Sequence, residues 1–178
     1  MSAYVPVSAT AHVSIVTSNR HAVVQSLVER ESMSLLNYFL RRTVNADDAA
    51  DLLGETLLVI WRRENSLPTD QTEARMWMFG VARRVLSGYR RSRSRQDALS
   101  ERLGATLATV MQEVHDPDSN GVRAAISTLP ELDREIVRLV YWEGFTLAEV
   151  AQTLRMRPAT VRSRMARAKG KLRAQLSE

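Results

Sequence analysis

Residues 129–176 read LPELDREIVRLVYWEGFTLAEVAQTLRMRPATVRSRMARAKGKLRAQL, and the fold is decided here. A helical segment ends at Trp142-Glu143-Gly144, and Thr146 opens a short helix over 147–154. A tight turn over 155–157 follows. Pro158 then starts a second helix that carries nearly all of the local positive charge. Pro suits a first helical position because its missing N–H is not needed there. The layout is that of a helix-turn-helix, whose second helix is shaped to enter the DNA major groove.

The side chains divide as such a pair requires. Leu147, Val150, Ala151 and Leu154 are spaced to pack the first helix. Ala151 lies where the two helices cross, and a larger side chain there would force them apart. Val161 and Met165 anchor the second helix from beneath. Ala159, Thr160, Arg162, Ser163 and Arg167 are left near the outer face. Arginine can bond two acceptors on a guanine edge, and Ser or Thr donates or accepts more permissively. Arg155, Arg157, Arg164, Lys169 and Lys171 suit phosphates, which position a protein without specifying sequence.

Upstream of this unit, three further helices are expected. The first covers 23–40, with Val24, Leu27, Val28, Leu35, Leu36 and Phe39 on one face. The second is capped by Asn45, carries Asp47 and Asp48 in its first turn, and runs to about residue 63. Leu52, Leu53, Thr56, Leu57, Val59, Ile60 and Trp61 supply its buried side. Asn65-Ser66-Leu67-Pro68 ends it. The third covers 72–91, with Trp77, Met78, Val81, Ala82, Val85 and Leu86 as its apolar stripe. Residues 92–121 are less regular: a weakly amphipathic piece over 99–114 precedes the loop signal at 115–121. The predicted architecture is all-α: an extension (1–20), a helical domain (21–95), a linker (96–121) and the helix-turn-helix domain (122–178). Residues 1–19 hold no acidic or basic Asp, Glu, Lys or Arg side chain and read as a disordered or loosely docked extension.

Charge distribution points the same way. The chain of 178 residues has a net charge of +5. Seven arginines and no acid lie between Arg75 and Arg95, and eight basic residues and no acid between Arg155 and Arg173. Such clusters favour phosphate contacts with release of counterions. There are no cysteines, which excludes disulfides and thiolate metal sites. His12, His21 and His115 lack metal-ligand spacing, and neither a nucleotide loop nor paired carboxylates in a pocket-like context is present. No metal, cofactor or catalytic activity is therefore expected. No apolar run approaches the roughly 20 residues of a membrane span, so no membrane insertion is expected.

With these residues in place, the chain resembles the bacterial RNA polymerase sigma factors of the extracytoplasmic-function (ECF) group, over about residues 23–176. Leu129-Pro130, Arg134-Glu135, Gly144 to Ala151 and Thr160-Val161-Arg162-Ser163-Arg164 are similar to that family's region 4, which reads the −35 promoter element. The resemblance implies −35 contacts from Thr160, Arg162, Ser163, Arg164, Arg167 and Lys171, with Arg162, Ser163 and Arg167 the best placed for base edges. Asp47 to Thr56, continued to Trp61-Arg62, resembles the family helix that docks on the polymerase clamp, which implies contacts from Asp48, Asp51, Leu52 and Glu55. Glu73 to Arg84 resembles the segment that recognises and opens the −10 element, which implies roles for Arg75, Trp77, Arg83, Arg84, Ser87, Arg90 and Arg91. Arginines would hold phosphates there while an apolar pocket near the 65–72 loop accepts an unstacked base.

The family implies a cytoplasmic, non-enzymatic subunit. Its partners would be core polymerase (clamp and β flap), promoter DNA and an anti-sigma factor. Three residues depart from the family pattern: Gly54 replaces a usual glutamine, Arg84 a common asparagine, and Arg155 a turn glycine. A stand-alone helix-turn-helix regulator is the rival reading. It explains the C-terminal domain but not the clamp-like helix or the arginine-bearing third helix, and no dimerisation element is evident.

Overall fold

The computed structural model describes residues 9–102 and 120–176, and its regular structure there is helical, with seven α-helices and one 3-10 turn. The all-α expectation holds. The first helix, α1, spans Ala9–Leu40. It starts well before residue 23, so the helix takes in residues 9–20 of the segment expected to be an extension. The physical reason is local: no Gly or Pro interrupts 9–40, and once the helix is anchored by packing, each added residue propagates it cheaply.

Helix α2 (Ala46–Arg62) begins where the sequence places it. Asn45 Oδ1 accepts the Asp48 N–H at 2.7 Å, and Asp47 and Asp48 occupy the first turn. A 3-10 turn at Glu64–Ser66 and the buried Leu67 lead to α3, Gln71–Arg102. Asp70 Oδ1 caps α3 by accepting the Glu73 N–H at 2.9 Å. Helix α3 runs past residue 91 into the segment expected to be linker, because residues 89–102 contain no helix breaker. Most of the amphipathic piece and loop signal expected over 99–121 lies outside the described residues. Helices α1, α2 and α3 bury one another through Val24, Leu27, Leu35, Phe39, Leu52, Ile60, Met78, Val81 and Val85. Each such side chain contributes about 1.5–3 kcal/mol by leaving water.

The C-terminal unit comprises α4 (Asn120–Ser127), α5 (Glu131–Tyr141), α6 (Leu147–Leu154) and α7 (Pro158–Leu176). Ile126, Leu129, Ile136, Leu139, Val150, Leu154, Val161 and Met165 form its interior. Gly144 sits at φ 71°, in the left-handed region glycine adopts without strain, and this lets the Phe145 N–H return to Leu139 O at 3.0 Å. Thr146 and Glu149 form a reciprocal capping box at the start of α6: Glu149 N–H donates to Thr146 Oγ1 at 3.3 Å and Thr146 N–H to Glu149 Oε2 at 2.8 Å.

The two units pack against each other, with α3 beside α6. Phe79 of α3 meets Phe145 edge-on, with centroids 5.1 Å apart and rings at 86°. Around this aromatic contact lies a seam of ion pairs between the end of α1 and α5.

Candidate nucleic-acid interface

The helix-turn-helix is built as the sequence requires. Ala151 is 1% exposed at the α6–α7 crossing, and Val161, Met165 and Ala168 are buried beneath α7. This orientation turns Thr160, Arg162, Ser163 and Arg167 outward, with Lys171 further along α7 also exposed. Arg164 is different. It is half-buried and its Nη1 lies 2.7 Å from Asp133 Oδ1, so it pins α7 to α5.

The turn between α6 and α7 solves the problem posed by Arg155. That residue adopts φ 54° and ψ 47°, the left-handed conformation that glycine usually supplies. The Met156 N–H donates to Ala151 O at 2.8 Å and the Arg155 N–H to Gln152 O at 3.1 Å. These are the paired bonds of a Schellman cap, kept here despite the cost of placing a side chain in that region.

On α3, Arg83, Arg84, Ser87, Arg90 and Arg91 are exposed and face an open groove of about 850 Å³. Tyr38 of α1 and Glu131, Leu132 and Glu135 of α5 form its other walls. Arg75 does not join that row. Its Nε bonds Glu31 Oε2 at 3.0 Å, its Nη2 bonds the Glu143 carbonyl at 2.7 Å, and its guanidinium lies 4.5 Å from the Phe145 ring centre. Trp77 is half-buried and packs against the core. Arg75 and Trp77 thus serve packing in this arrangement.

On α2, Asp51 and Glu55 are exposed. Asp48 is half-buried and accepts a bond from the Tyr89 hydroxyl at 2.7 Å, tying α2 to α3. Leu52 is only 4% exposed. It belongs to the core and forms the floor of a shallow depression rimmed by Asp48, Asp51, Glu55, Gly88, Tyr89 and Ser92. The period of the helix that exposes Asp51 and Glu55 turns position 52 inward, on the buried side expected for it. The exposed large apolar residue of this helix is Leu58. A Cβ at Gly54 would meet no neighbouring atom, so no steric demand explains glycine there.

A set of polar contacts not expected from the sequence holds the two units together. Arg42, whose side chain is fully buried, pairs with Glu135 at 3.0 Å and Glu143 at 3.1 Å. Arg41 pairs with Glu143 at 2.9 Å, and the Tyr38 hydroxyl donates to Glu135 at 3.2 Å. Arg90 also pairs with Glu131. Burial and the Glu135 carboxylate push the Tyr38 hydroxyl well above its ordinary range. Burial opposes the charge on Arg42, but Glu135, Tyr38 and Glu143 outweigh it and hold the guanidinium more firmly protonated. Arg138 is pulled down to about 10 by burial, with Arg42, Arg134 and Arg90 adding repulsion. The only trace of this seam in the sequence was polar residues on otherwise apolar helix faces: Glu31 and Arg42 continue the buried stripe of Val24, Leu27, Leu35 and Tyr38.

A helical fold with an outward-facing basic recognition helix and a second arginine-lined surface defines a DNA-binding protein of two helical units. Comparison with known proteins narrows the class. Residues 119–172 match the family described as sigma-70, region 4. Across 94% of this chain and 97% of the relative, the sequence is 30% identical to the ECF RNA polymerase sigma factor SigL of Mycobacterium tuberculosis. It is 31% identical to the ECF RNA polymerase sigma factor EcfG of Rhodopseudomonas palustris, over 80% of this chain and 79% of that one. The fold is shared with sigma factor RpoE of Bartonella quintana, solved with the anti-sigma factor NepR (TM-score 0.66, 21% identity, 86% of this chain and 96% of that one). It is shared also with CnrH, solved with the cytosolic domain of CnrY (TM-score 0.64, 20% identity, 92% and 94%). The chain belongs to the ECF group of the sigma-70 family of RNA polymerase sigma factors. Its business is promoter recognition and transcription initiation. None of its described helices is long and apolar enough to cross a membrane.

Proposed function

We propose that this sigma factor divides its work among three surfaces. The acidic face of α2, with Asp51 and Glu55 exposed and Asp48 braced by Tyr89, docks on the polymerase clamp. The α3 row of Arg83, Arg84, Ser87, Arg90 and Arg91 holds the −10 strand as it separates. The α7 face reads the −35 duplex, Arg162, Ser163 and Arg167 reaching base edges while Thr160 and Lys171 hold the backbone. The N-terminal domain (21–95) and C-terminal domain (122–178) act on the two promoter elements, and the C-terminal one sits on the β flap. The subunit has no chemistry of its own, needs no cofactor and works in the cytoplasm. An anti-sigma factor of the kind seen with its structural relatives restrains it.

One observation carries this reading. Two separate arginine-rich surfaces and an exposed acidic helix face occur on one chain, whereas a regulator acting alone on duplex DNA needs only α7. The test is transcription in vitro with core polymerase of the source organism and a library of promoter fragments. Transcripts that require this protein and share a −35/−10 pair are expected. Sequence-specific duplex binding by the protein alone, with no such transcripts, would overturn the reading in favour of the stand-alone regulator.

A further inference from the structure

Helix α5 carries Glu131, Arg134, Glu135 and Arg138 at spacings of three and four residues, so the four side chains share one ridge. This ridge and Arg90 of α3 line a cavity of about 240 Å³. None of the lining residues belongs to α7.

The charges around the cavity do not balance. The guanidinium groups of Arg90, Arg134 and Arg138 stand against the carboxylates of Glu131 and Glu135. Both carboxylates are already engaged. Glu131 pairs with Arg90. Glu135 accepts from Arg42 Nε at 3.0 Å and Nη2 at 3.4 Å, and from the Tyr38 hydroxyl at 3.2 Å. Arg134 donates from Nη2 to the neutral Leu129 carbonyl at 3.0 Å, and its buried Nε makes no hydrogen bond among the described residues. The half-buried Arg138 guanidinium makes no hydrogen bond or ion pair among the described residues. Burial, and then repulsion from Arg42, Arg134 and Arg90, weakens the hold of Arg138 on its proton, and Glu135 offsets this only in part. Guanidinium forks match phosphate oxygens two at a time, and a half-buried donor without a partner is costly to leave so.

We propose that this cavity is an anion site that takes a diphosphate group, Arg134 and Arg138 holding its oxygens and Arg90 adding to the positive field. Two cations without a carboxylate partner suit an anion of two or more charges. Glu131 and Glu135 repel it little, because each is neutralised by an arginine of its own. The cavity takes two linked phosphates, and a nucleoside attached to them would lie outside it. The site is independent of which surface serves which promoter element.

The experiment titrates the full chain with inorganic pyrophosphate by calorimetry, at constant ionic strength and without magnesium. Because the chain carries a net charge of +5, diffuse attraction needs a control, and Arg162→Ala/Arg167→Ala on α7 provides it. The expected result is saturable one-to-one binding, weakened about tenfold or more by Arg138→Leu and changed less than about twofold by the α7 variant. Pyrophosphate also raises the melting temperature of the wild type but not of Arg138→Leu, whose own melting temperature is no lower because an unpaired charge is gone. Arg138→Lys keeps the charge and loses the fork; it weakens binding by a smaller factor and serves if the leucine variant fails to fold. Adenosine diphosphate separates the two sources of the group. Tighter binding than pyrophosphate supports a site filled by a nucleotide, and weaker binding a site filled by the free anion.

Three results overturn the proposal: no saturable binding by the wild type, binding by Arg138→Leu as tight as the wild type's, or an equal loss in the α7 variant.

Discussion

Arg155 shows how a single residue can contradict its local rule and still be accommodated. A side chain in the left-handed region costs about 1–2 kcal/mol, yet the Schellman bonds at Arg155 and Met156 hold the turn. Arg155→Gly is expected to stabilise the protein by about 0.5–1 kcal/mol, the relieved strain being partly offset by glycine's greater freedom when unfolded. Chemical denaturation checks this; a loss of stability would mean that the Arg155 side chain makes up the strain through contacts of its own. Arg162 stands in the open on a well-anchored helix. Replacing it with Ala is expected to cost roughly 1–3 kcal/mol at one −35 base pair and to relax preference there. Equal loss on every sequence, measured against a panel of single-base promoter variants, would make it a phosphate contact instead. Arg164 carries no such expectation, because Asp133 already holds it.

At the scale of elements, most of the pattern was legible. The Asn45 cap, the Thr146 start, the Pro158 start and the buried Ala151 are local signals, and each has a local physical cause. Helix ends were less legible. Helices α1 and α3 both outrun their expected limits because composition announces a stop only where Gly or Pro occurs, and residues 9–40 and 89–102 have neither. Helix α2 illustrates a different limit. Its acidic and apolar residues were visible and Leu52 was placed on the buried side, but only packing shows that position 52 is fully covered while Asp51 and Glu55 stay exposed. Leu52→Ala should therefore lower stability by about 2–5 kcal/mol and leave the polymerase affinity of the folded fraction unchanged. Asp51→Lys/Glu55→Lys should do the reverse, weakening core binding about tenfold or more through charge reversal on an exposed face while the melting temperature hardly moves. Thermal melts and a core-binding titration separate the two. If both substitutions act on stability alone, α2 is not the docking helix.

For the whole molecule, sequence periodicity located both helical units but could not reveal that they close on each other. The contacts that join them are far apart in the chain, and their members look like ordinary charged residues: Tyr38, Arg41 and Arg42 at the end of α1, Glu135 on α5 and Glu143 just beyond it. A buried ion pair of this kind is weak evidence for stability, but it fixes one arrangement among the alternatives open to two tethered bodies.

The most direct measurement is the permanganate reactivity of thymines in the −10 element of a promoter, with core polymerase and this protein present or absent. The account predicts reactive, unpaired thymines only when both are present. It also predicts that Arg83→Ala/Arg84→Ala reduces that reactivity while −35-dependent binding of the holoenzyme to the duplex survives. Specific duplex binding by the protein alone, with thymines that stay protected whatever is added, would contradict it.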